Sequence, residues 1–184
     1  MGKTMAFVGI GSNMGNRVRN CCRALALLGQ QRATRLVAVS SLFLTQPVGV
    51  PRQRWFVNGV VGVETTLSVQ KLFSLLQGIE NELGRTRPYP DAPRTIDLDL
   101  LFFNGLIWLG QQLRIPHQEV RRRRFVLVPL AEIASDFQDP VTRLTMEKLL
   151  ASCLDQSRLR LAVPSNRLLS LLRGEESFPR QEVY

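Results

Sequence analysis

The sequence predicts an α+β fold: a split βαβ sheet (βαββαβ), mostly antiparallel, with two helices packed on one face and a small helical C-terminal annex. Three observations predict it. Short β-branched and apolar runs stand at Met5–Ile10, Leu36–Leu44, Phe56–Glu64 and 94–103. Two helical stripes interrupt them, after the first run and after the third. Glycine, proline and cap residues mark the junctions between them.

Taken in order, Met5–Ile10 is an apolar strand that ends in Gly11-Ser12-Asn13-Met14-Gly15-Asn16, a turn of glycines and cap residues. Val18, Cys22, Leu25 and Leu28 then recur at helical spacing. Leu36–Leu44 reads as one strand, and Thr45–Pro51 as a loop stiffened by two prolines. Phe56–Glu64 is a valine-rich strand. Ser68 is the N-cap of a second helix with Leu72, Leu75, Leu76, Ile79 and Leu83 on its apolar face, and Gly84 is its C′ residue. Arg85–Pro93 holds three prolines and is expected to be a mobile basic loop. It feeds the run Arg94-Thr95-Ile96-Asp97-Leu98-Asp99-Leu100-Leu101-Phe102-Phe103. Asn104-Gly105 is a turn signal, with Leu106–Leu109 expected to run back as a hairpin partner. Leu113–His117 is a short extended piece. Val120–Ala134 is expected as a helix in two parts, broken at Pro129, and Met146–Cys153 as a further short helix. Residues 1–164 form one domain. Residues 165–184 form a C-terminal extension without an assigned role, with one amphipathic helix at Asn166–Arg173.

The 184 residues are 45% hydrophobic and 21% charged, as in an ordinary globular protein. The net charge of +9 comes almost wholly from arginine, since the only lysines are Lys3, Lys71 and Lys148. Such basicity suits an anionic partner, either nucleic acid or polyphosphate. Cys21, Cys22 and Cys153 offer neither a disulfide framework nor zinc spacing, which points to a reducing cytoplasmic setting. No apolar run reaches the length of a membrane span, and the Met5–Gly11 run is too short for a signal peptide.

Asp97 and Asp99 carry the sharpest chemical signal. Two apart in a strand, their side chains share a face, roughly 7 Å apart by strand rise. Leu98, Leu100 and Phe102 are expected on the other face. Unpaired carboxylates are costly in a buried sheet, so cations must cover them. A glycosidase pair would need one carboxyl kept protonated. Arg85, Arg87 and Arg94 just upstream are expected to keep both ionised instead. Two ionised carboxylates among arginines suit Mg²⁺ bridging phosphates, with guanidinium groups gripping phosphate oxygens. A structural Arg–Asp network is the alternative, and spacing does not choose between them.

Other candidates are weaker. The glycine turn at 11–16 lacks the ending of a P-loop and the spacing of a dinucleotide fingerprint. His117 is the only histidine, and a lone one after a proline is commonly structural. It stands close to Arg121-Arg122-Arg123-Arg124, of which at most two can serve one site. Phe56 and Phe125 read as core residues that, beside basic loops, would also sandwich a flat ring.

Pro93-Arg94-Thr95-Ile96-Asp97-Leu98-Asp99-Leu100-Leu101 resembles the signature of the 6-hydroxymethyl-7,8-dihydropterin pyrophosphokinase family of folate biosynthesis. The resemblance runs from about Met5 to about Pro164 and takes in Gly9–Asn13, Thr45–Gly49, Phe56-Val57-Asn58, Gln77–Arg87 and Ile115-Pro116-His117. It implies a ferredoxin-like fold and an ATP-dependent diphosphotransferase. Such an enzyme moves the β,γ-diphosphate of ATP to the pterin hydroxymethyl group and releases AMP. By the same resemblance, Asp97 and Asp99 hold two Mg²⁺ ions, with Asp97 also near the pterin hydroxyl. Arg85 and Arg94 act on the phosphates, and Arg87 lies in the catalytic loop. Gln77 and Glu80 face the nucleotide, His117 and Arg123 contact its phosphates, and Leu100 and Leu113 line the adenine slot. Phe56 and Phe125 stack on the pterin, while Asn58 and the backbone of Thr45, Pro47 and Val48 read its polar edge.

The implied partners are ATP and the pterin, with neither nucleic acid nor membrane, and a monomer would suffice. The sequence departs from the family at Asp91, where a Trp is frequent, at Gln118 in place of a frequent Tyr, and at Gln46 in place of a frequent Pro. An RNA-binding module on the same fold is the competing class, prompted by a pI near 10.7. It would need exposed aromatics on the central strands, where this sequence offers aspartates.

Overall fold

The computed structural model describes residues 2–47, 53–86, 89 and 92–177. Val48, Arg87 and Asp91 lie outside the described residues, as does the end of the C-terminal extension.

Eight strands and five helices follow in the described residues. They are β1 (Thr4–Ser12), α1 (Arg17–Gly29), β2 (Thr34–Val39), β3 (Leu42–Thr45), β4 (Phe56–Thr65), α2 (Val69–Glu82), β5 (Asp97–Phe103), β6 (Trp108–Leu109), β7 (Arg114–Ile115), α3 (Arg124–Ala134), α4 (Met146–Ala151), β8 (Leu159–Val163) and α5 (Ser165–Arg173). The main sheet runs β5-β1-β4-β3-β8, with β2 also on β4, and every pairing is antiparallel. This is the expected α+β, ferredoxin-like arrangement, widened by β8.

Local signals explain where the first two helices begin. The Asn16 side chain accepts from Arg19 N at 2.9 Å and starts α1. Ser68 does the same for α2 through Lys71 N. Gly84, at φ +76°, ends α2 in the left-handed region that glycine enters at no steric cost. Val18, Cys22, Leu25 and Leu28 of α1 and Leu72, Leu76 and Ile79 of α2 pack on Ala6, Val8 and Ile10 of β1 and Leu98 and Leu100 of β5. Leu168 and Leu171 of α5 join that core. The opposite face is covered by α3 and α4, which bury Val126, Leu127, Leu130, Met146 and Leu149 against Phe7, Val60, Leu101 and Phe102. The sheet is therefore a middle layer.

Five local expectations are corrected. Leu36–Leu44 is two strands, not one, because the chain steps at Ser40–Ser41. There Ser40 N donates to Val60 O, and Ser40 Oγ accepts from Val60 N. A bulge opposite Phe7/Val8 leaves Leu101 as the extra residue, so Phe102 turns to the α3 face instead of joining Leu98 and Leu100. Leu106–Leu109 does not return along β5, since Trp108 and Leu109 pair with β7. The helix expected from Val120 starts at Arg124 and runs unbroken through Pro129, a proline costing one ladder bond rather than the helix. Last, β8 was not foreseen, and its edge position on β3 supplies the partner that its short alternating run lacks locally.

Candidate active site

β1 and β5 lie side by side, with Gly9 opposite Asp99 and Gly11 opposite Asp97. At Gly11 the absence of a Cβ lets the Asn58 side chain pack close to the β1 backbone beside Asp97. Two cavities meet at that point. The first is bounded by Thr45, Phe56, Asn58, Arg94, Asp97, Asp99, Arg123 and Phe125, with Gly9, Gly11 and Gln46. The second is bounded by Gln77, Glu80, Arg85, Asp99, Leu100, Leu113 and His117, with Phe73, Gln111, Gln112 and Arg114. Asp99 is the member common to both.

The electrostatics separate the two aspartates. Asp97 Oδ2 accepts from Arg94 Nη1 at 2.7 Å, and Asp97 Oδ1 lies 2.6 Å from Arg85 Nη2. The second contact is an ion pair without hydrogen-bond geometry, so Asp97 Oδ1 and Arg85 Nε and Nη2 are buried without a hydrogen-bond partner. Arg85 also pairs with Glu80, and both side chains are at most 7% exposed. Glu80 Oε1 in turn accepts from Leu98 N at 2.6 Å, which joins α2 to the aspartate strand. Burial lifts the Glu80 carboxyl above its ordinary range, against the Leu98 N–H and the Arg85 guanidinium.

Asp99 has no ion pair among the described residues. Burial first, and the Asp97 carboxylate second, push it up to about 7. Of the upstream arginines among the described residues, Arg85 and Arg94 both pair with Asp97 and neither pairs with Asp99. An unpaired carboxylate beside a carboxylate oxygen without a hydrogen-bond partner fits a hard divalent cation, which would favour the ionised form of Asp99. No group of three or more His, Cys, Asp or Glu gathers for a metal among the described residues. Two carboxylates with the remaining positions open suit Mg²⁺ that completes its shell with water and phosphate oxygens.

The remaining walls are set by long-range contacts. Asn58 Nδ2 donates to Thr45 Oγ1 at 2.6 Å, and Arg94 Cζ lies 5.7 Å from the Phe56 ring centroid. Arg123 stands at the same distance over Phe125. His117 N donates to Leu101 O, and His117 Nδ1 accepts from Glu119 N at 3.3 Å. Burial, then the nearby Arg123 charge, lowers the His117 pKa, so the neutral ring keeps its proton on Nε2 as a donor.

Of the residues singled out from sequence, these cavities gather all but three. Val48 and Arg87 lie outside the described residues, and Pro47 borders neither cavity. Arg85, expected in a mobile loop, is anchored: its N–H donates to Glu80 O and its side chain is buried.

The family model described as 7,8-dihydro-6-hydroxymethylpterin-pyrophosphokinase (HPPK) matches residues 7–135. The chain belongs to the HPPK family. Its relatives include the 2-amino-4-hydroxy-6-hydroxymethyldihydropteridine pyrophosphokinase of Bacillus subtilis (strain 168), 44% identical over 138 residues, 75% of this chain and 83% of that one. The Haemophilus influenzae enzyme of the same name is 39% identical over 156 residues, 85% of this chain and 97% of that one. Among solved structures, wild-type Plasmodium falciparum HPPK-DHPS with pteroate superposes with a TM-score of 0.68 at 14% identity. That match covers 82% of this chain and 42% of the longer one, and it speaks for the fold alone.

Two features of this HPPK site escape the sequence. Asn13 clamps Arg94 in both directions, its N–H donating to Arg94 O at 3.1 Å and its Oδ1 accepting from Arg94 N at 2.7 Å. Gln111, Gln112 and Arg114 border the second cavity from the β6–β7 hairpin. The polar run at 110–112 was the available signal, but its place depends on the hairpin's pairing.

Proposed function

We propose that this HPPK transfers the β,γ-diphosphate of ATP to the hydroxymethyl group of 6-hydroxymethyl-7,8-dihydropterin, in folate biosynthesis, with two Mg²⁺ ions held by Asp97 and Asp99. The observation that carries the proposal is the meeting of two cavities at Asp99: an aromatic one and one bordered by the buried Arg85, the exposed Arg114 and several amide side chains. The first suits a flat, hydrogen-bonding ring, and the second suits a nucleotide. Mg²⁺ there would neutralise triphosphate charge and hold its oxygens in place.

The chain's own residues divide the rest. Phe56 and Phe125 stack on the pterin, and Asn58 with Thr45 and Val48 reads its polar edge. Gln77, Glu80, Leu100 and Leu113 seat the nucleoside, and His117, Arg87 and Arg123 take phosphate oxygens. The hydroxymethyl oxygen forms a bond to the β-phosphorus as the bond from that phosphorus to the α,β-bridging oxygen breaks, and AMP leaves with that oxygen. Asp97 lies nearest the hydroxyl that loses its proton. Arg85 and Arg94 spread the charge that builds on the transferred group. In-line placement and charge neutralisation supply most of what such a transfer needs.

Incubation with ATP, Mg²⁺ and the hydroxymethyl-dihydropterin is expected to yield AMP. Asp97→Ala and Asp99→Ala are each expected to abolish it while circular dichroism stays unchanged. Full turnover by either variant removes the two-metal scheme, and ADP as product would mean an ordinary kinase.

A further inference from the structure

Helices α1, α2 and α4 are capped locally, whereas α3, like α5 with its Ser165 N–H on Ser41 Oγ, is capped from a distant part of the chain. The first turn of a helix leaves backbone N–H groups without intrahelical partners. Asn16, Ser68 and Thr145 supply them with a side-chain oxygen for α1, α2 and α4. The N-cap of α3 is Arg123, which has no acceptor to give and makes no cap bond. The first N–H of α3, that of Arg124, instead donates to Asp155 Oδ2 at 2.8 Å, from 31 residues further along the chain. Asp155 Oδ1 accepts from Ser157 N, also at 2.8 Å. Both carboxylate oxygens are thus engaged. Burial opposes the charge, but the Ser157 and Arg124 N–H groups hold the Asp155 carboxyl below its usual range. A carboxylate at this end of a helix also meets the positive pole of its dipole.

The residues on either side of that bond matter. Arg123 and Phe125 flank Arg124 and border the first cavity. Two residues beyond Ser157, β8 begins at Leu159, which pairs with Thr45 on the opposite wall of the same cavity. A continuous link therefore runs from the aromatic wall on α3, through Asp155, to the polar wall on β3.

We propose that Asp155 is a positioning residue for the pterin cavity, capping α3 from a distance and so setting where Arg123 and Phe125 stand relative to Thr45 and Asn58. The proposal rests on Phe125 being a ring-stacking wall of the pterin site. It concerns the segment after α4, none of whose described residues borders either cavity.

The test removes the bond from each side. Asp155→Ala deletes the acceptor. Arg124→Pro deletes the donor, at a first helical position where proline is well tolerated, and Arg124→Ala controls for the lost side chain. Turnover is measured against hydroxymethyl-dihydropterin at saturating ATP and Mg²⁺, with thermal melting alongside. Asp155→Ala, relative to wild type, and Arg124→Pro, relative to Arg124→Ala, are each expected to raise the pterin KM about fivefold, the equivalent of one lost cap bond. The double variant is expected to be no worse than either single one, since both remove the same contact. A lower melting temperature with an unchanged pterin KM in Asp155→Ala overturns the proposal, because the bond would then be structural only. So does Arg124→Pro matching Arg124→Ala in KM. Phe125→Ala separates the two levels. If it raises the pterin KM while the cap variants do not, positioning by Asp155 fails alone. If it leaves the pterin KM unchanged, the assignment of the cavity fails and takes the proposal with it.

Discussion

Gly11 has no room for a side chain. A Cβ built there would stand 2.5 Å from Asn58 Oδ1, against a side chain that joins β4 to Thr45. Gly11→Ala must therefore push Asn58 off its bond to Thr45. Loss of one buried hydrogen bond costs about 1–3 kcal/mol, so the pterin KM is expected to rise by roughly tenfold with the ATP KM nearly unchanged. Steady-state kinetics with each substrate varied in turn would show it. Equal effects on both constants would mean that Gly11 serves the whole site. Arg85 makes a different demand. It is buried between Glu80 and Asp97, has two nitrogens lacking hydrogen-bond partners, and borders the second cavity. Arg85→Ala is expected to slow turnover by at least about a hundredfold and to weaken ATP binding far less, the split expected of a group that acts in the transition state. Comparable losses in binding and rate would reduce Arg85 to an anchor for the nucleotide.

At the scale of elements, β5 does two jobs through one irregularity. Before the bulge at Leu101 it presents Asp97 and Asp99 to one face and Leu98 and Leu100 to the α1–α2 core. After it, Phe102 crosses to the α3 layer and packs edge-on against Phe137. One strand thus places a polar site and anchors the helical layer beside it. The second helix is held mainly by its apolar stripe, and its cap bond is long, 3.4 Å from Lys71 N to Ser68 Oγ. Ser68→Ala is therefore expected at the low end for a lost cap, about 0.5–1 kcal/mol, or a few degrees in melting temperature. Turnover should be unchanged, because Gln77 and Glu80 lie two and three turns from that end. A fall in activity without a fall in stability would show that the cap orients the nucleotide wall.

At the scale of the molecule, the first cavity takes Arg123, Phe125 and Val126 from the α3–α4 layer, so whatever orders that layer also sets one wall of the site. Part of that order is ionic. The Asp139 side chain is fully buried, pairs with Arg121 through both oxygens, and accepts from Val141 N and the Thr142 hydroxyl. Burial works against its charge, but Arg121 and these donors keep the carboxyl below its ordinary value. A carboxyl depressed in the folded state contributes stability that is complete above its unfolded pKa of about 3.9. That contribution is lost as pH falls through the lower folded value. Asp139→Asn is expected to cost about 3 kcal/mol at neutral pH, since it strands part of a paired cluster. Its stability should then fall less steeply than wild type below pH 4. Urea denaturation at pH 7 and pH 3.5 would reveal both effects, and parallel losses at the two pH values would exclude a role for the Asp139 charge.

What the sequence determined by itself was local or periodic. The cap at Ser68, the stop at Gly84, the stripes of α1 and α2 and the shared face of Asp97 and Asp99 all follow from spacing along a few residues. The ordered motifs from Gly9 to His117 were enough to indicate the family. Only the tertiary structure decided how those pieces divide the chemistry. Arg85 and Arg94 both turn to Asp97, which leaves Asp99 where the two cavities meet. Asn13 clamps Arg94 from 81 residues away, and Asp155 caps a helix whose own N-cap is an arginine. The step at Ser40–Ser41, the bulge at Leu101 and the added strand β8 belong to the same class. Each depends on which segment lies across the sheet. Periodicity records the face a residue prefers, whereas pairing and charge neutralisation depend on neighbours that only folding brings together.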